Sequence, residues 1–142
     1  NKGGISLKEN LSEQPLSIRP DTLLFFHESP AAFSLYEAFE SKLLSLFPNT
    51  EIRVQKTQIS FYNRHLFACV SLQRVRKKVE LPNPYLVVTL GLPFPLASPR
   101  VAQKTEPYPG RWTCHIVIGS TEEMDEELFS FVQQAYHFAN KK

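Results

Sequence analysis

The residue types best suited to chemistry in this chain are four histidines and two cysteines, and two of them, Cys114 and His115, are adjacent. Neighbours on an extended chain project to opposite faces, so this pair cannot act on one another as nucleophile and base. A buried thiol next to a partly exposed imidazole is the better reading. His27, His65, His115, His137 and the cysteines have none of the short paired spacings that nucleate a zinc site. Asp21 followed by Glu40-Ser41-Lys42 imitates the carboxylate and carboxylate-x-lysine spacing of restriction-type nucleases. Those enzymes need the second part on a strand, whereas here it lies in the middle of a helical pattern, and the match fails. There is no phosphate-cradling glycine loop, nucleophile elbow or dinucleotide fingerprint, so no motif calls for a cofactor or metal.

What remains is a set of polar groups, cations and rings at expected turns and in a proline-rich stretch: Lys56, Gln58, Tyr62, Arg64, Arg100, Tyr108, Arg111, Trp112 and His115. Guanidinium and ammonium groups interleaved with aromatic rings can hold an anion while stacking on a planar group. The alternative is that Lys56 and Arg64 are solvated turn residues while Tyr108 and Trp112 are lids on the core. Three functions compete on this basis. The first is a binding or accessory module for a small anion, a nucleotide or nucleic acid, or a protein partner. The second is a small enzyme with His115 as general acid or base and Lys56 or Arg100 stabilising negative charge, which requires one shared cleft. The third is a structural or oligomerising domain.

The elements that must position these residues are legible from periodicity. Asn1 to Pro20 is polar and suits a tail or linker, with Leu16 and Ile18 able to touch the domain edge. Thr22 to Phe26 is a first apolar segment, either a short strand or a helical turn. Ser29-Pro30 signals a helix start, and Ala32, Phe33, Tyr36, Phe39, Leu43, Leu46 and Phe47 recur at three- and four-residue spacing until Pro48 ends the pattern. Glu51 to Leu72 alternates in the two-residue period of strands, with turns at Lys56 to Gln58 and Asn63 to His65. Arg74 to Lys78 reads as a charge run capping an exposed turn or edge. Tyr85 to Leu92 is apolar on both faces and reads as a covered strand. Pro93 to Gly110 holds five prolines and reads as a long loop. Trp112 to Ile118 resumes strand alternation, with Trp112, Cys114, Ile116 and Ile118 on one face. Ser120 and Glu123 match a capping box, opening a second helix with an acidic first turn.

The expected architecture is a single α+β domain over residues 21–142. It has a helix at 29–47, an antiparallel sheet of about five strands between 51 and 118, and a helix at 121–139. Both helices cover one sheet face. The 142 residues are enough for one core, which eleven Phe, five Tyr and one Trp make aromatic. A net charge of +2 does not demand nucleic acid or an anionic membrane, so any basic patch must be local. Cys69 and Cys114 in apolar strand contexts suit free thiols of a reducing compartment, and a disulfide between neighbouring strands is the lesser alternative. No apolar run approaches the roughly 18–20 residues of a membrane span, and a cytoplasmic protein is expected. Beginning at Asn1 with Met124 as the sole methionine, the chain reads as a piece of a longer protein.

The blocks VQKTQISFYNRHLFACV, PYLVVTLGLP, SPRV, EPYPGRWTCHIVI and DEELFSFVQQAYHFA, in this order, resemble the bacterial domain-of-unknown-function family numbered 5655 from about His27 onward. Lys56, Thr57, Phe61, Phe67, Ala68, Ser98, Arg100, Trp112, His115 and Tyr136 carry the likeness. The resemblance implies no established activity, and it implies a module that occurs beside other domains, sometimes nuclease-like ones. A shorter block, a lysine followed by a short strand and then a Phe-Ala strand, is similar to YdhG-like domains, which implies a compact sheet with helices packed on it.

Overall fold

The computed structural model describes residues 20–141, so residues 1–19 of the expected tail, including Leu16 and Ile18, lie outside the described residues, while Pro20, its expected last residue, begins a helix. Within them are three α-helices and one six-stranded antiparallel sheet. The helices are α1 (Pro20–Phe25), α2 (Pro30–Leu46) and α3 (Glu126–Asn140). The strands are β1 (Glu51–Val54), β2 (Ile59–Tyr62), β3 (Leu66–Ser71), β4 (Leu86–Leu92), β5 (Val101–Tyr108) and β6 (Arg111–Ile118), in the spatial order β1-β2-β3-β4-β6-β5. The α+β class expected from periodicity is therefore present, with one more strand and one more short helix.

The additional strand, β5, comes from the stretch expected to be loop. Its exposed centre, Gln103 to Glu106, carries no apolar alternation, because an edge strand facing solvent on both sides needs none. Pro107 is tolerated there since the edge leaves its missing amide unpaired, and the register with β6 slips between Thr105 and Tyr108. Pro109 and Gly110 close the hairpin, with Gly110 at φ 79°, a conformation that glycine adopts without a Cβ penalty.

Helix α2 begins with Pro30 in its first turn, as its fixed φ favours, but the Ser29 side chain makes no capping bond. Instead the Ala32 amide donates to the Ser29 carbonyl at 3.0 Å. The helix ends before Pro48, and Thr50 Oγ1 donates to the freed Phe47 carbonyl at 2.6 Å. At the other end of the chain, the acidic run forms two elements where one was expected. A 3-10 turn (Thr121–Glu123) comes first, with the Glu123 carboxylate accepting from the Gly119 and Ser120 amides. Helix α3 then starts afresh with Asp125 as its N-cap, accepting from Leu128 N at 3.0 Å.

One core lies between the sheet and the helices. Ile59, Phe61, Ala68, Val70, Val88, Leu90, Cys114, Ile116 and Ile118 point into it from alternate strand positions, meeting Tyr36, Phe39 and Leu43 of α2 and Leu128, Phe129 and Val132 of α3. Phe39 joins both helices to the sheet, with ring centroids 5.8 Å from Phe61 and 5.3 Å from Phe129. Burying one such ring contributes roughly 1.5–3 kcal/mol. A bulge between Phe61 and Tyr62 turns Phe67 inward beside Ala68, where it packs against Phe47 and Tyr136. Buried Glu40 accepts a hydrogen bond from the Tyr36 hydroxyl at 2.9 Å.

Candidate functional site

Both long helices pack on one side of the sheet, and the opposite face is polar at its centre, while Val87, paired with Ser71 beside the β3–β4 connection, is fully buried on that face. The strand register aligns one residue from every strand across that face: Arg53, Ser60, Cys69, Thr89, His115 and Gln103. A second row beside it contains Gly91, Thr113 and Thr105. Alternation along β6 puts Arg111, Thr113 and His115 on this open face. Trp112 faces the other way and is half-buried against the core, so it is a lid residue and does not join Arg111 and His115. Cys114 faces the core and Cys69 the open side; both thiols are free, and their opposite orientation removes the inter-strand disulfide alternative.

The centre of the open face is a shallow depression of about 190 Å³. Cys69, Thr89, Gly91, Arg111 and Thr113 line it, with Gln58 at its margin. The Arg111 side chain folds back across the sheet and covers Gly91: an ideal Cβ built on that glycine would stand 2.9 Å from Nη2 and 3.2 Å from Cζ. Glycine at this strand position is what lets a guanidinium lie so close to the backbone. Among the described residues, Arg111 has neither an ion-pair partner nor a hydrogen-bond acceptor for its guanidinium.

His115 stands in the row alongside. Its Nδ1 is 2.8 Å from Thr89 Oγ1, a contact that leaves Nε2 for another partner. Burial lowers its pKa from 6.5, which keeps the ring neutral at pH 7. Burial also pushes the Cys69 thiol up to about 11, against the opposing pull of a Ser60 hydrogen bond and the Arg111 charge. Such a thiol is protonated and inert near neutrality. Thr89 separates it from His115 by two strand spacings, roughly 9.6 Å, so no thiolate-imidazole pair forms. The floor is completed on the β2 side by Ser60, which donates to Gln55 Oε1 at 2.6 Å and accepts from Gln58 Nε2 at 2.9 Å. Farther out, the Arg53 guanidinium stacks 4.0 Å from the Tyr62 ring centroid.

The other expected site residues are dispersed. Arg100 lies just before β5 and is engaged on the helix side, donating to Asp125 Oδ1 at 2.8 Å, to Glu127 Oε1 at 3.1 Å and to the Glu123 carbonyl. It fastens the start of β5 to the start of α3. Lys56 sits in the β1–β2 turn, at least three strand spacings or about 14 Å from His115. Arg64 is at the opposite end of β2, where its amide donates to Asn140 Oδ1 at 3.4 Å. Tyr108 is exposed at the β5–β6 turn. Of the expected set, Arg111, His115, the margin residue Gln58 and, farther out beside Arg53, Tyr62 share one surface, and the single cleft required for Lys56, Arg100 and His115 to act together is not formed.

Thr89, Gly91, Thr113, Ser60 and Cys69 escaped the sequence reading. The Tyr85 to Leu92 stretch was expected to be covered on both sides, and it is so at Leu86 to Val88, where the outward Val87 is fully buried, but farther along the outward Thr89 and Gly91 are only half-buried. Their one sequence signal was the isolated glycine inside a β-branched run, which marks close approach of another group. Among the described residues, no group of three or more His, Cys, Asp or Glu side chains could hold a metal ion, and no helix is long and apolar enough to cross a membrane.

The model of the family described as Domain of unknown function (DUF5655) matches residues 25–139, and the chain belongs to that family. No curated protein and no solved structure matches it.

Proposed function

We propose that this member of the DUF5655 family is a binding module whose open sheet face holds a small anionic group, a carboxylate or a phosphate, at Arg111. The observation that carries this reading is the guanidinium laid over Gly91 with no partner among the described residues. A planar cation with five donors seeks acceptors, and a charge-assisted hydrogen bond is about twice as strong as a neutral one. Thr89, Thr113 and the His115 Nε2 supply neighbouring polar atoms that can orient the anion. The depression, about 190 Å³, is below the range of about 300–1,000 Å³ of typical small-molecule pockets, which favours a single anionic group over a whole drug-sized ligand. The rest of a larger ligand would lie across the flat polar rows toward Gln103 and Thr105.

The reading extends to the cytoplasm, where the free, buried thiols Cys69 and Cys114 persist without pairing. The test is a backbone amide NMR titration with inorganic phosphate and, separately, acetate. Shifts should concentrate at Thr89, Gly91, Thr113 and His115 and disappear in Arg111→Gln. Shifts spread over the surface, or equal in the variant, would refute the site.

A further inference from the structure

The charge run at Arg74–Lys78 was expected to defend a turn or an edge. It joins β3 to β4, two interior strands, so there is no sheet edge for it to protect. Arg74, Arg76, Lys77 and Lys78 are all exposed, and Glu80 is the one carboxylate of this connection between Leu72 and Tyr85. None of the four has an ion-pair partner among the described residues. Antiparallel pairing of β2 with β3 brings the exposed Lys56 of the β1–β2 turn to the same end of the sheet. Five cations thus share one end of a protein whose total charge is only +2. Concentrating like charges costs free energy unless counter-charge arrives.

Two depressions lie at this end. One, about 450 Å³, is lined by Phe25, Lys56, Leu72 and Gln73; the other, about 390 Å³, by Arg74, Lys78 and Tyr85. They adjoin at Gln73 and Arg74; the first pairs Lys56 with the half-buried Phe25 ring, and the second pairs Arg74 and Lys78 with the half-buried Tyr85 ring, held in place by its hydroxyl donating to the Leu72 carbonyl. This is the arrangement that binds single strands, with ammonium and guanidinium groups on the phosphates and successive bases on ring faces. We infer that this end of the sheet is a docking surface for single-stranded nucleic acid, separate from the open face that carries Arg111. An anionic membrane is the weaker fit, because the two rings line hollows where a bilayer anchor would protrude; the exposed apolar side chains a bilayer would engage are Val79 on the connection and Leu23 and Leu24 beside Phe25, and the vesicle arm of the test scores them. The acidic start of α3 stands beyond the contact of Pro82 with Gly119 and bounds the surface on that side.

Fluorescence anisotropy with a labelled oligothymidylate of about 15 nucleotides tests the inference. If three to five phosphates are neutralised, log Kobs should fall against log salt with a slope of about −2 to −3.5. The combined variant R74Q/R76Q/K77Q/K78Q, at exposed positions, should lose at least tenfold in affinity while keeping its circular dichroism and melting temperature. Phe25→Leu should lose about fivefold or more. Salt-independent or absent binding, an unaffected fourfold variant, or capture by phosphatidylserine vesicles without capture of the oligonucleotide would each overturn it.

Discussion

Replacing Gly91 by alanine separates the function of Arg111 from its contribution to the fold. No positive φ is recorded at Gly91, so the backbone accepts a Cβ, and the clash falls on the far end of a flexible side chain. To reach ordinary contact, Nη2 must retreat from 2.9 Å to at least 3.4 Å. Replacing glycine at a compatible position stabilises by roughly 0.4–1 kcal/mol through the unfolded chain. The guanidinium has no protein acceptor to lose among the described residues, so Gly91→Ala should leave stability unchanged or raise it by that amount. Binding should respond in the opposite direction. Losing one charge-assisted hydrogen bond costs about 1.5–3 kcal/mol, so phosphate affinity at the open face should fall about tenfold or more. Urea denaturation reads the first quantity and the amide titration with phosphate reads the second. Destabilisation beyond about 1 kcal/mol would mean that the guanidinium is anchored and structural, and an unchanged phosphate affinity would mean that its position over Gly91 does not govern binding.

Two further outcomes follow from other contacts. Arg100→Ala should destabilise by about 1 kcal/mol, less at high salt, because its carboxylate partners are half-exposed, and should leave phosphate shifts at Thr89 and Thr113 intact; urea unfolding at two salt concentrations checks this. His115 has its folded pKa lowered by burial, so the unfolded chain binds the proton more readily. Stability from this group should be fully present above pH 6.5 and decline as pH falls from 6.5 toward the lowered value, a dependence absent in His115→Gln and measurable by denaturation between pH 5 and 7.5. Over the same range the charged ring should strengthen phosphate binding relative to His115→Gln, in which only the titration of phosphate itself acts, and an identical pH dependence in the two would separate His115 from the site.

Much of the architecture was legible because apolar periodicity is a local record of which face is buried. Phe39, Leu43 and the stripe of α3 declare helices that need a sheet, and Phe61, Ala68 and Val70 declare the strands that meet them. β5 was not legible, since Gln103 to Glu106 answer to solvent on both sides and leave no periodic trace. Phe67 broke parity because a bulge, which depends on the partner strand, turned it inward.

The same division governs the site. The alternation of Arg111, Thr113 and His115 on one side of β6, with Trp112 and Cys114 on the other, is a property of any extended chain and could be read from spacing. Which of those sides stays open depended on both long helices choosing the same face. Which residues joined Arg111 there depended on strand order, because Cys69, Thr89 and His115 are far apart in the chain and become neighbours only through the β3-β4-β6 register. The cations show the complementary case. Arg100, indistinguishable by sequence from Arg111, was claimed by Asp125 and Glu127 across the molecule, while Arg111 was left over a glycine. Composition determined that this chain has basic groups to spare; long-range pairing alone decided which of them are free to meet a ligand.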